Sequence, residues 1–474
     1  MLRLLASFIF RPDRFLAKPR RLFLLGVCLP ILAATLPAQQ RDPAEPAHGK
    51  PAVRIMPRPA GAIARTEINE KSMRSLIELL VSCGTRNSLS SWTDPNRGIG
   101  CGRDKVVARL DEIAAESGGK LQVVVDKYQT SGPRTNDKTV GMENIYAILP
   151  GADSKLSKIA FIVVGDVDSR ASDVMDPELN SPGADDDASG SAVSVECARL
   201  LSGVRSHNRG SYRATLIFGV LSGEEQGLLG ASRLLEWTRQ QGYTVGAMLD
   251  NDIVGADPAP GGPHRVRVFS ATGEIEDGDS PSRELARAIE EIDGISAIRM
   301  IFRIDRFGRG GDHMPFAKAG LPAVRFTEPL EDYRHQHQTP RTENEVEYGD
   351  LMKYLNYTFL GNVARENAEV LRELALAPAP PSAVTLSGAV TPSAKLSWTA
   401  DDDTERAGFE ILWRETTSPR WQIYDFVSSS MEYTVKDVST DNHFFAVRSV
   451  SKNGARSVAT PAVMERRPAP STTR

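Results

Sequence analysis

Two apolar runs set the terms on which this chain can fold: KIAFIVVGDV, residues 158–167, and RATLIFGVLS, residues 213–222. Neither alternates polar with apolar residues. A strand that is apolar at nearly every position needs cover on both faces, as in the middle of a parallel sheet flanked by helices. GAMLDNDIV (246–254) and PAVRFT (322–327) are shorter strand candidates. Helical patterns such as ASRLLEWTRQQ (231–241) and SRELARAIEEI (282–292) alternate with these strands, and a closing helix is predicted after Tyr348. Over residues 64–376 this alternation predicts an α/β three-layer sandwich with a mixed, largely parallel central sheet. Active sites in such folds gather at the carboxyl ends of the strands.

At 474 residues the chain is too long for one ordinary domain. Its texture changes at APAPPS (377–382), a stiff proline-rich linker. From 383 to 468 the helical period disappears and short strand candidates such as AKLSWTA and HFFAVRSVSKNG follow, which predicts a C-terminal all-β immunoglobulin-like sandwich. At the other end, Arg11, Arg14, Lys18, Arg20 and Arg21 precede LFLLGVCLPILAATLPAQQ. That run is short for a membrane span and ends in small residues, so residues 1–38 read as a signal peptide cut near Ala38. Residues 39–63 read as a linker or propeptide. The expected location is secreted or periplasmic, with no stable membrane span after signal removal. A net charge of −4 leaves no broad basic surface for nucleic acid. Cys28 departs with the signal. Cys83 and Cys101 flank a short polar loop and are the disulfide candidates of an exported chain, whereas Cys197 lies in an apolar helical pattern and reads as a buried thiol.

Acidic residues cluster where strands are expected to end. GADDDASG (183–190) sets Asp185, Asp186 and Asp187 side by side before a helix. A turn with Asp187 or Ser189 as helix cap explains that stretch by itself. SGEEQG (222–227) follows a strand run, and its neighbours Glu224 and Glu225 point in different directions in an extended loop. LDNDIVG (249–255) ends another strand, and YRHQHQTP (333–340) holds two of the seven histidines. Each is weak alone. Together they supply carboxylates and imidazole, the ligands zinc takes besides thiolate. A bridging carboxylate can hold two metals about 3.5–4 Å apart.

The ordered set MENIYAILPG, VVGDVDSR, PGADDDASGSA, SGEEQGLLGAS, LDNDIVG, GGDHMPFAKAGLPAV and HQHQTPRTEN spans most of 64–376. In it the chain resembles the zinc-dependent exopeptidases of the aminopeptidase Y and bacterial leucyl aminopeptidase type, metallopeptidase family twenty-eight. The resemblance implies Asp186 as the metal-bridging aspartate, Glu224 as general base, and Glu225 and His337 as ligands of the second metal, with His335 the lesser choice. It implies Asp252 as a ligand of the first metal, with Asp250 as fallback. Asp168 matches a supporting aspartate that orients a ligating histidine, and Asp312 with His313 matches a pair that supports the pocket or touches substrate. Residues 383–468 resemble a fibronectin type III domain, with Trp398 at the core tryptophan and His443 where that family has its corner tyrosine. A surface or protein-docking role for this sandwich is the accompanying expectation.

One position departs from the pattern. Where the family has histidine in VVGDVDSR, this chain has Asp166. The first metal would then face Asp166, Asp186 and Asp252, an all-oxygen set that suits magnesium, calcium or manganese better than zinc. The expectation is an exported peptidase acting on peptide or protein substrates, most simply an aminopeptidase, with one or two Zn2+ ions or another divalent cation in the first site. Two alternatives stand beside it: a single-zinc glutaminyl cyclase-like enzyme, and a non-catalytic binding protein.

Overall fold

In the computed structural model the strand runs of the sequence become a twisted eight-stranded sheet. The structure describes residues 56–203, 211–259, 261–271 and 279–465. The signal peptide expected at 1–38 and residues 39–55 of the following segment lie outside them. The strands are β1 (Gln122–Thr130), β2 (Val140–Leu149), β3 (Ile159–Asp166), β4 (Thr215–Leu221), β5 (Thr244–Asn251), β6 (Val266–Ser270), β7 (Ile298–Ile301) and β8 (Ala323–Thr327). They lie in the order β1-β2-β4-β3-β5-β8-β6-β7. The central four, β4-β3-β5-β8, are mutually parallel, while β1–β2, β2–β4 and β8–β6 pair antiparallel. The helices are α1 (Glu70–Val81), α2 (Ile99–Glu116), α3 (Ala188–Leu201), α4 (Leu229–Gln240), α5 (Pro281–Asp293), α6 (Met314–Lys318) and α7 (Tyr357–Leu376).

Both faces of β3 are covered, as its unbroken apolar run requires. Phe161 and Val163 pack in one core with Leu76 of α1, Leu110 of α2, Val193 of α3, Leu285 of α5 and Leu371 of α7. Ile162 and Val164 pack on the other face with Leu234 and Trp237 of α4 and Phe316 of α6. The period-2 alternation of the strand thus sorts its residues between two layers of helices. Helix α3 runs very close to β3: a Cβ on Gly165 would stand 2.1 Å from the Gly190 carbonyl carbon, so only glycine admits this approach. That approach brings the start of α3 against the end of β3, where the acidic residues lie.

A hairpin, β9 (Arg341–Glu343) and β10 (Val346–Tyr348), follows the central sheet. The C-terminal strands are β11 (Ser382–Ser387), β12 (Ser393–Thr399), β13 (Arg406–Glu415), β14 (Gln422–Val427), β15 (Glu432–Lys436), β16 (His443–Ser451), β17 (Thr460–Pro461) and β18 (Val463–Met464). They form two four-stranded sheets, β15-β12-β11-β18 and β14-β13-β16-β17, around a core that includes Trp398, Phe409, Trp413 and Phe445. This sandwich is tied to the α/β body by charge pairs. Arg448 lies 2.5 Å from Glu291 and 2.6 Å from Glu410, Arg213 lies 2.8 Å from Asp403, and the Trp421 indole donates to Glu284 at 2.6 Å. Residues 56–63 touch both parts: Ile63 is buried and its N–H donates to Glu369 of α7, while Arg456 of the sandwich donates to the Met56 carbonyl. Cys83 and Cys101 form a disulfide, and Cys197 is a buried free thiol. Among the described residues no helix is long and apolar enough to cross a membrane.

Candidate metal centre and active site

The parallel strands deliver their acidic residues to one edge of the sheet. β3 ends on Asp166, β4 runs into the turn bearing Glu224 and Glu225, β5 is followed by Asp252, and the loop entering α3 carries Asp185–Asp187. His337 comes from the loop after β8.

The three adjacent aspartates have three separate tasks. Asp187 is the N-cap of α3: the Gly190 N–H donates to its Oδ1 at 2.9 Å, and the Asp166 N–H donates to its Oδ2 at 2.9 Å. Asp185 turns the other way and accepts from the Gly255 N–H at 2.7 Å. Asp186, between them, faces His337. Asp350 accepts from the backbone N–H groups of both Asp185 and Asp186, at 2.8 and 2.7 Å, and so holds the turn that aims Asp186.

Asp186, Glu225 and His337 bring one ligand atom each within 4.8 Å of one another. His337 Nε2 lies 2.8 Å from Asp186 Oδ2 and 3.0 Å from Glu225 Oε1. Both oxygens are buried, yet neither accepts a properly directed hydrogen bond. Two carboxylates converging on one imidazole suit a shared cation, either a proton on His337 or a metal ion that displaces it. A tetrahedral zinc with ligands at about 2.0–2.2 Å sets such atoms about 3.3 Å apart, close to the spacing seen. The donor set therefore fits zinc, with room for a fourth ligand. Burial opposes charge on His337, but Glu225 and Asp186 outweigh it and raise the imidazole to about 10. His337 also has φ 51°, a conformation side chains rarely adopt and one that recurs at functional sites.

Glu224 sits beside this group, half-buried. Burial and then the Glu225 carboxylate push it well above the usual carboxylate range. Its backbone N–H and that of Glu225 donate to Asp168 at 3.2 and 3.3 Å. Asp168 was expected to orient a ligating histidine. With Asp166 in place of that histidine, Asp168 instead braces the turn carrying Glu224 and Glu225.

A second group, Asp166, Asp187 and Asp252, also closes to within 4.8 Å. Asp186 was expected in both groups; the structure sets it with His337 and sets Asp187 here. This second group does not suit a metal as the first does. Both oxygens of Asp187 already accept backbone N–H donors. Asp252 Oδ2 lies 2.7 Å from Nη1 of Arg325, a fully buried guanidinium. Burial, then Asp187 and Asp168, push Asp166 well above the carboxylate range. Ile253, next to Asp252, has φ 60°, which is strained for a β-branched residue. Its backbone is pinned by the Glu328 N–H, which donates to its carbonyl at 2.8 Å, so the direction of Asp252 is set by the fold.

Of the remaining candidates, His313 and His335 are engaged by other side chains and by the backbone. His313 is fully buried, donates from Nε2 to the Ile304 carbonyl at 2.6 Å and faces Asp250 at 3.1 Å through Nδ1. Both ring nitrogens are thus engaged, which suits the first of the two expected roles, support of the pocket or substrate contact, and also occupies Asp250. Asp312 is buried beside this pair, with neither carboxyl oxygen hydrogen-bonded. His335 stacks on Tyr354, ring centroids 3.6 Å apart. Three contributors were not singled out in the sequence: Asp350, Arg325 and Arg86. Arg86 is fully buried and donates to the carbonyls of Val167, Pro182 and Gly183 at 2.6–2.8 Å, strapping the loop after β3 to the loop before α3. A signal existed for Arg325, the one charge inside the apolar strand PAVRFT.

The profile of Peptidase family M28 matches residues 144–369, which include most of β2, all of β3 to β8 and most of α7. A "Probable zinc metalloprotease" of Pyrenophora tritici-repentis is 35% identical over 434 residues, covering 86% of this chain and 88% of the relative. One of Leptosphaeria maculans is 36% identical over 416 residues, covering 83% and 94%. Among solved structures, the LapA aminopeptidase of Legionella pneumophila is similar at a TM-score of 0.49 and 19% identity, over 66% of this chain and 71% of that one. Relatives at 35% and 36% identity across most of both chains, and a profile lying over the strands that build the metal group, show that the chain belongs to peptidase family M28.

Proposed function

We propose that this zinc metallopeptidase is an exported aminopeptidase that removes N-terminal residues from peptides. The observation that carries the reading is Glu224 beside the convergent Asp186, Glu225 and His337. Zinc held by those three residues would polarise a scissile carbonyl and make an attacking water more acidic. Glu224 takes the proton from that water and returns it to the leaving amine, help worth about a hundred- to ten-thousand-fold in rate. Asp168 holds Glu224 in place through its backbone N–H. Asp166, Asp168, Asp252 and Asp312 add a buried acidic wall around the ligands. The N-terminal signal pattern and the Cys83–Cys101 disulfide support export. The strand order β15-β12-β11 against β14-β13-β16-β17 supports a fibronectin type III-like sandwich. His443 there faces the Ser439 carbonyl at 3.1 Å through Nδ1, the kind of tie a corner tyrosine makes.

The test pairs an aminoacyl-anilide with its N-acetylated form and with a peptide beginning in glutamine. Hydrolysis of the free-amine anilide alone is expected. Hydrolysis of the acetylated form at equal rate removes the aminopeptidase reading. Pyroglutamate formation without anilide hydrolysis replaces it with the cyclase.

A further inference from the structure

We propose that Arg325 is the built-in cation of the Asp166, Asp187 and Asp252 group, so that the chain binds a single zinc, at Asp186, Glu225 and His337. The inference rests on the zinc-peptidase reading above and deepens it by fixing the metal count.

Four observations carry it. First, the guanidinium reaches the acidic group at Asp252: Arg325 Nη1 is 2.7 Å from Asp252 Oδ2 and 3.6 Å from Asp305 Oδ2, and Nη2 donates to the Asp252 backbone carbonyl at 3.2 Å. An arginine keeps its charge at every working pH, so this positive charge is permanent. Second, the fold makes room for it. A Cβ on Gly311 would stand 2.6 Å from Arg325 Nη1 and 2.8 Å from Asp250 Oδ2, and the neighbouring Gly310 carbonyl accepts from Nη1 at 2.6 Å. Third, its position follows from the sheet: Arg325 is the middle residue of β8, in register with Asp250 of β5, and neither strand can slip without breaking the core. Fourth, the donors that remain are too few. Asp187 is held as the cap of α3 by the Gly190 and Asp166 N–H groups, which leaves the Asp166 side chain and one oxygen of Asp252 as the less engaged donors, with no imidazole in the group. A divalent ion there would have two carboxylate ligands and a guanidinium as neighbour. Arg325 supplies the positive charge that Asp252 requires in this buried acidic surrounding.

The experiment is metal counting by native mass spectrometry on the folded, signal-free chain, stripped and then reloaded with excess zinc. One zinc per chain is expected, unchanged by Asp166→Asn and lost in His337→Ala. Two zincs per chain overturn the inference while leaving the peptidase reading intact. One zinc that is lost in Asp166→Asn and kept in His337→Ala overturns it as well. No zinc at all sinks the metallopeptidase reading itself. A second variant tests the cause: Asp166→His combined with Arg325→Met is expected to take up a second zinc, and a folded double variant that still holds one removes Arg325 as the reason.

Discussion

At the scale of single residues, the site works because near-identical side chains have been given different surroundings. Asp185, Asp186 and Asp187 are adjacent and chemically equal, yet one secures a loop, one faces the imidazole and one caps a helix. Glu224 and Glu225 divide in the same way, Glu225 with the ligands and Glu224 free for proton transfer. Glu224→Gln is therefore expected to lower turnover by about a hundred- to ten-thousand-fold while zinc stays bound, read by steady-state rates alongside metal analysis. Asp350 never touches the ligand atoms but positions Asp186 through its N–H. Asp350→Ala is expected to weaken zinc about 10- to 100-fold in a chelator competition, the usual loss when a ligand's support is removed. The carboxylates and the imidazole were legible from the sequence, because zinc chemistry restricts the side chains that serve. Their partition between two groups was not, since Asp186 and Asp187 differ only in which way a turn points them.

At the scale of elements, loops hold the ligands and arginines hold the loops. The loop after β8 that carries His337 is anchored through Glu331, which pairs with Arg267 at 2.6 Å, Arg309 at 2.7 Å and Arg306 at 3.0 Å. Burial opposes ionisation of Glu331, but Arg306 and its neighbours win and hold it at about 2. Its unfolded value is about 4.3, so the folded pKa is depressed. Its contribution is then full above about pH 4.3 and is lost as pH falls through about 2, amounting to about 3 kcal/mol. Denaturant unfolding at successive pH values should show Glu331→Gln destabilised at pH 7 by an amount that shrinks toward pH 2. The segment from Cys83 to Cys101 is the other anchor. It carries Arg86, and its disulfide closes a loop of sequence separation 18. Replacing both cysteines by serine is expected to cost about 3 kcal/mol from loop entropy, measured the same way. The cysteine pair was visible in the sequence from compartment and spacing. Arg86 was not, because three backbone carbonyls leave no trace in side-chain composition.

At the scale of the whole molecule, the C-terminal sandwich is a brace on the α/β body. Glu410 is buried between Arg448 and Arg456, and Arg448 reaches across to Glu291 of α5. Glu410→Gln leaves two buried guanidinium groups short of charge and is expected to cost about 3–5 kcal/mol. Because the same residues join both parts, thermal unfolding should remain a single transition at lower temperature. Two separated transitions would show that the parts are independent. The architecture itself was readable in the strand runs: a fully apolar strand demands cover on both faces, and a loss of helical period marks a second, all-β part. By itself the sequence determined which chemistries were available and at which end of the strands they would lie, because periodicity and ligand type are local properties. Only the tertiary structure decided which charges meet. Arg325 and Asp252 are 73 residues apart in the chain, and the pairing of β8 with β5 together with the turn at Ile253 brings a guanidinium to the carboxylate where a metal ion was expected.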